Sequence, residues 1–212
     1  MKQLFLLLLS AIVFASCTED TSKVLLFIPD GSVDLEFALT KEAGVMKDIL
    51  EQSGFEVAVA TVSGEPIVAD STILEPTLKL EDVRITDYVG FILPCMAIKD
   101  TLGTPIEVVA MVKKAVAEDK PVAAQLGSVE TLAKAGVLMG KKYAFADLDD
   151  FDDDMFPEIR VCDGIYNGIG VIQDGNIITS GICPYWAREK ELPDGTQELT
   201  RTLIKAIKAR TN

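Results

Sequence analysis

Val24-Leu25-Leu26-Phe27-Ile28 is an unbroken apolar run closed by Pro29-Asp30-Gly31. A short run with no polar residue at alternate positions predicts a strand buried on both faces, as in a parallel sheet covered by helices. The next segment supplies such a cover. Ala38, Glu42, Val45 and Ile49 fall on one helical stripe and Leu39, Ala43, Met46 and Leu50 on the next, and Ser53-Gly54 ends the pattern with a C-terminal glycine. Phe55 to Val62 predicts a second strand with Val57, Val59 and Thr61 turned outward. Together these segments make a βαβ unit.

The alternation continues. Pro66 and Pro76 interrupt residues 65–87, which predict no regular element. Tyr88 to Leu93 is a third strand, stopped by Pro94. A helix from Pro105 to Asp119 carries Ile106, Val109, Val112 and Val116 on one side, and Pro105 suits a first helical turn. Pro121 to Ala124 is a fourth strand, and Gly127-Ser128 turns into a helix capped by Ser128 and ended by Gly136. Lys141 to Ala146 reads as another strand, Val171-Ile172 and Ile177-Ile178 flank the hairpin signal Asp174-Gly175, and Thr196 to Ala209 is a last helix. This order predicts an α/β fold, a flavodoxin-like doubly wound, mostly parallel sheet with helices on both faces. Such sheets bind ligands beyond the carboxyl ends of their strands, so the segments to inspect are Asp30 to Phe37, Pro94 to Ala97, Gln125 to Ser128 and Gly181 to Pro184.

The N-terminus reads as a targeting segment. Lys2 precedes the apolar run Leu4 to Phe14, which is too short to span a membrane and fits a signal-peptide core. Phe14-Ala15-Ser16-Cys17 resembles a bacterial lipobox, with Phe14 where leucine is usual. The resemblance implies lipidation at Cys17 and anchoring to a cell-envelope membrane, on its periplasmic or cell-surface side. The alternative is a plain secretory signal with a cysteine nearby. Residues 1–16 are then a signal peptide, 17–22 a polar tether and 23–212 one domain. The acidic pair Glu19-Asp20 fits either a surface-export signal or a solvated linker.

The formal net charge of −13 repels phosphate backbones and argues against nucleic acid as a partner. The chain has no histidine, which removes the commonest general base near neutral pH and the commonest zinc ligand. Beyond Cys17, the cysteines are Cys95, Cys162 and Cys183, an odd number for an oxidising compartment. Cys95 and Cys183 each follow a predicted strand and are candidates for a disulfide or a reactive thiol, against the alternative of two small core residues. The acidic run Asp147 to Asp154 fails the EF-hand test: counted from Asp150, the sixth residue is Met155 and the twelfth Val161. An irregular calcium site and a solvated acidic loop both remain open there. Tyr166, Tyr185 and Trp186 either line a pocket or pack. No residue pattern calls for a cofactor.

Several segments, in order, resemble the ThiJ/PfpI family. They are Asp30-Gly31 with Asp34-Leu35-Glu36-Phe37, Gly54-Phe55-Glu56-Val57, Ile92-Leu93-Pro94, Lys120 to Ala124, Leu132 to Leu138, and Asp174 to Ser180. The resemblance covers residue 23 to about residue 209. It implies an active site built on a strand-to-helix elbow that presents a cysteine thiolate, assisted by a glutamate from the first loop and often a histidine. At the matching places stand Leu126 for the cysteine, Glu36 for the glutamate and Ala146 for the histidine, while Pro94-Cys95-Met96 replaces a Pro-Gly-Gly turn. The candidate pocket is therefore Glu36, Cys95, Met96, Gln125, Leu126, Gly127 and Cys183. Three functions follow: a non-catalytic module that binds a small molecule or a protein, an enzyme of altered mechanism using Glu36 as acid or base on a carbonyl compound, and a thiol-redox protein using Cys95 and Cys183. The family resemblance also implies a homodimer.

Overall fold

The computed structural model describes residues 22–29, 31–76, 78–96 and 105–211. The signal peptide, Cys17, Asp30 and Ala97 lie outside the described residues. β1 (Lys23–Phe27) leads into α1 (Leu35–Ala38), a π-helical turn (Leu39–Ala43) and α2 (Gly44–Gln52). β2 (Glu56–Thr61) is followed by the small hairpin of β3 (Ile67–Val68) and β4 (Ile73–Leu74), then by β5 (Leu78–Lys79). Next come β6 (Gly90–Leu93), α3 (Ile106–Ala117), β7 (Val122–Gln125), a 3-10 turn (Leu126–Ser128) and α4 (Val129–Lys134). β8 (Lys142–Tyr143), α5 (Pro157–Val161) and β9 (Ile165–Tyr166) form an excursion before β10 (Val171–Asp174), β11 (Ile177–Ser180), α6 (Pro184–Lys190) and α7 (Thr196–Thr211).

The main sheet has seven strands in the order β10-β11-β7-β6-β1-β2-β5, parallel except for the β10–β11 hairpin. β1 lies near its middle, paired with β2 and β6. No residue from Val24 to Ile28 is more than 2% exposed. Its side chains divide by parity. Leu25 and Phe27 pack in the core under α3 and α4, with Val112, Val129 and Leu132. Val24, Leu26 and Ile28 pack in a second core under α2 and α7, with Met46, Leu50, Leu203 and Ile207. The apolar run is continuous because each face of the sheet has its own helical layer.

Side by side, β6, β7 and β11 run parallel. Their carboxyl ends deliver Pro94-Cys95-Met96, Leu126 and Ile182-Cys183 to one region. Gly181 is required at the last of these. A Cβ there would lie 2.5 Å from the Phe145 carbonyl carbon and 2.9 Å from the Ile169 carbonyl oxygen. The Gly181 N–H donates to that same Ile169 oxygen at 3.1 Å.

The structure departs from the sequence reading in four places. Residues 65–87 hold three short strands, one of which, β5, extends the main sheet beside β2. Val59 and Thr61 do not face water: both are buried, because β2 too is covered on both sides. Ser128 does not cap α4; its hydroxyl donates to the Pro94 carbonyl at 2.6 Å, tying the elbow to the β6 turn. Only Lys142–Tyr143 of the segment Lys141 to Ala146 is strand, paired with β9 outside the main sheet. Beyond it the backbone is held by other partners, with the Ala144 N–H on Thr179 Oγ1 and the Phe145 N–H on the Gly168 carbonyl.

Candidate functional site

At the carboxyl end of β6 the chain turns sharply: Met96 has φ of 57°, in the left-handed region. The turn strips the Cys95 and Met96 N–H groups of sheet partners, and both are buried. Glu42 supplies the acceptors. Its two carboxylate oxygens take the Cys95 N–H at 2.7 Å and the Met96 N–H at 2.9 Å. Glu42 projects from the π-helical turn, whose wider coil closes with the Gly44 N–H on the Leu39 carbonyl. Gly44 suits that closure, since a Cβ there would sit 2.7 Å from the Leu39 oxygen. π turns of this kind recur at functional sites. Glu42 is 2% exposed, and burial, then the neighbouring Cys95 thiol, push its carboxyl well above the usual carboxylate range.

The elbow after β7 stands against this turn. Leu126 has φ of 35° and is only 4% exposed. Left-handed backbone costs a non-glycine residue roughly 1–2 kcal/mol, and burying a leucine contributes roughly 1.5–3 kcal/mol. Packing alone therefore accounts for a leucine here. The Gly127 N–H donates to Cys95 Sγ at 3.4 Å. Gln125 ties the elbow to two further elements, donating from Nε2 to the Ile182 carbonyl at 2.7 Å and accepting from the Thr196 hydroxyl at 3.2 Å. Cys183, the residue before α6, is hydrogen-bonded to the Cys95 thiol. That bond, followed by burial, drives the Cys183 thiol far above its ordinary value. The two cysteines are 4% and 1% exposed and are not joined by a disulfide. Among the described residues every buried side-chain nitrogen and oxygen has a hydrogen-bond partner.

Of the residues singled out in the sequence, Cys95, Met96, Gln125, Leu126, Gly127 and Cys183 do converge, but as a packed cluster. Glu36 does not join them. It lies at the solvent-facing start of α1, where it accepts from the Ser71 hydroxyl, from the Ser71 N–H at 3.2 Å and from the Thr72 hydroxyl at 2.7 Å. These bonds, the Ser71 hydroxyl first, hold its carboxyl below the usual value. Glu36 thus fastens the β3–β4 turn, and the carboxylate at the elbow is that of Glu42. The signal for it was present: Glu42 is a charged residue in the apolar stripe of Ala38, Val45 and Ile49, and a charge in such a stripe must find buried partners. Of the aromatic residues, Trp186 stacks on Phe151 at 4.6 Å, and Arg188 lies over both Tyr185 and Phe37. The Cys162 thiol meets the Tyr143 hydroxyl. In the acidic run Asp150 pairs with Lys190, and among the described residues no three His, Cys, Asp or Glu side chains converge as metal ligands would.

Replacing Glu42 by glutamine sets an NH2 group against one of the two amides and leaves that donor unsatisfied. Glu42→Gln should lower unfolding free energy by about 1–3 kcal/mol at pH 5. A carboxyl whose folded pKa is raised stabilises the fold below its unfolded pKa, and that contribution is lost as pH rises toward the folded value. The gap between wild type and Glu42→Gln should therefore narrow from pH 5 to pH 8 in urea titrations. Equal stabilities at pH 5, or a gap that widens with pH, would contradict this arrangement.

The sequence profile of the DJ-1/PfpI family matches residues 22–188. An uncharacterised protein of Methanocaldococcus jannaschii is 29% identical over 136 residues, covering 62% of this chain, and the chain spans 63% of that relative's length. One from Archaeoglobus fulgidus is 28% identical over 160 residues, covering 75% of this chain and 86% of the relative. Among solved structures, a ThiJ/PfpI domain protein of Brachyspira murdochii superposes with a TM-score of 0.68 at 14% identity, covering 89% of this chain and 98% of that one. Drosophila melanogaster DJ-1beta superposes at 0.57 with 22% identity, covering 88% and 97%. At these identities the structural likeness is one of fold, and it agrees with the seven-stranded sheet and with the profile match: the chain belongs to the DJ-1/PfpI family.

Proposed function

We propose that this protein is a binding member of the DJ-1/PfpI family without the nucleophilic chemistry of the elbow, carried on a cell-envelope membrane by a lipid on Cys17. One observation carries the first half: Leu126 occupies the strained elbow, at φ of 35°, as a packed side chain with no atom able to attack a substrate. Its surroundings point the same way. The Glu42 carboxylate is committed to two backbone amides, and the glycine turn expected from the resemblance is filled by Cys95 and Met96. A thiol-redox role for Cys95 and Cys183 is disfavoured, because both side chains are buried and the Cys183 thiol is pushed far above its ordinary value by its hydrogen bond with Cys95 and by burial. An acid–base role for Glu36 is disfavoured by its depressed carboxyl and its place on the Ser71–Thr72 turn.

The test of the elbow is a turnover assay on methylglyoxal and on peptide substrates with wild type and Leu126→Cys. Wild type should match the buffer control, and Leu126→Cys should gain little, since the chain has no histidine to move protons. Wild-type turnover clearly above buffer would overturn the non-catalytic reading.

The anchoring half rests on Leu4 to Phe14 followed by Ala15-Ser16-Cys17. Each buried lipid methylene adds roughly 0.8 kcal/mol, so multiple acyl chains hold a protein firmly to a bilayer. Cys17→Ser should move the protein from the membrane to the soluble fraction and abolish acyl labelling. A wild type that is already soluble and unlabelled would contradict the anchor.

A further inference from the structure

Away from the elbow, β8, β9, α5 and the loop after β8 line a half-open cavity of about 280 Å³. Its walls include Tyr143, Phe145, Tyr166, Leu148 and Ile159, and they share no residue with the cluster of Glu42, Cys95 and Leu126. The single charged side chain in the lining is Asp147, and neither lysine nor arginine is among the lining residues. Tyr143 and Phe145 are buried, whereas Tyr166 stands at the rim and is 51% exposed. The Tyr143 and Tyr166 rings meet edge to face, with centroids 6.0 Å apart at 64°. The Tyr143 hydroxyl is occupied by the Cys162 thiol.

Two nearby cations are already engaged by other partners. Arg160 turns inward, donating to the carbonyls of Met155, Leu148, Phe151 and Asp152 at 2.9–3.3 Å. Lys190 is paired with Asp150 and lies over the Trp186 ring. Asp147 accepts the Asp149 N–H at 3.1 Å through Oδ1. Aromatic walls with one carboxylate and no cation in the lining attract a positive charge attached to an apolar body, through the ring quadrupole and the Coulomb field together. The volume lies just under the roughly 300–1,000 Å³ of ordinary ligand pockets, which restricts the guest to a small one.

We propose that this cavity is a binding site for a small organic monocation, an ammonium or quaternary ammonium compound, held by Tyr143, Tyr166 and Asp147. The site goes beyond the functional reading above and stands whether or not the elbow is reactive.

The test is calorimetric titration of the full-length protein in detergent with choline and with phenethylamine. Their neutral counterparts, 3,3-dimethylbutanol and phenethyl alcohol, serve as controls. At least one cation should bind saturably at one site per chain, and its neutral counterpart should bind about tenfold more weakly or less. Asp147→Asn and Tyr166→Ala should each weaken that binding by about tenfold, while Tyr166→Phe, which keeps the ring, should retain it. Asp147 and Tyr166 are both exposed, and thermal melts check that the variants stay folded. Absence of saturable binding by both cations at millimolar concentration would overturn the proposal. Equal binding of the neutral counterparts would overturn the cationic class, and unchanged affinity in folded Asp147→Asn and Tyr166→Ala would overturn the site.

Discussion

The contact on which the elbow region depends is the buried Glu42 carboxylate between the Cys95 and Met96 amides. A chain leaving the middle of a parallel sheet carries N–H groups into a place water does not reach, and each must be paired. Here one side chain from a π-helical turn pairs two of them and holds Met96 in a left-handed conformation. The remaining links build on that fixed turn. Ser128 reaches the Pro94 carbonyl, Gly127 reaches Cys95 Sγ, and Cys183 meets the Cys95 thiol. Four segments far apart in sequence are thereby brought into one dry knot.

The knot also sets the chemistry. A reactive thiolate at a strand-to-helix elbow needs exposure and a positive or donor-rich setting. This elbow offers Leu126 in packing contact, beside a raised Glu42 carboxyl, a Cys183 thiol held protonated and a buried Cys95. A cysteine introduced at Leu126 enters the same low-dielectric surroundings, where burial disfavours the charged form.

Much of the fold was legible in the sequence, because the signals were local. Val24 to Ile28 could only be a doubly covered strand, and Asp174-Gly175 between apolar pairs could only be a tight hairpin, which Gly175 makes with φ of 65°. The errors arose where tertiary partners decide. Ser128 has the composition of a cap, yet its hydroxyl went to Pro94 across the sheet end. Thr61 has the polarity of a solvent-facing strand residue, yet it is buried on a covered strand, with its hydroxyl accepting the Gly64 N–H. Glu36 and Glu42 are six residues apart on one helical stretch, and a π turn between them changes which carboxylate faces the elbow. No propensity reports that turn. The cavity was legible only in part: Tyr166 read as either a pocket or a packing residue, and the other walls, from β8, β9, α5 and the acidic loop, meet only in the folded chain.

The central claim is that the elbow is closed and chemically quiet. Native-state alkylation with iodoacetamide at pH 8, mapped by peptide, addresses it most directly. Thiols this deeply buried are out of reach of the reagent, so Cys95 and Cys183 should remain unmodified until the protein unfolds. Rapid modification of either cysteine in the folded protein would show an open elbow with an accessible thiolate, and would contradict the account.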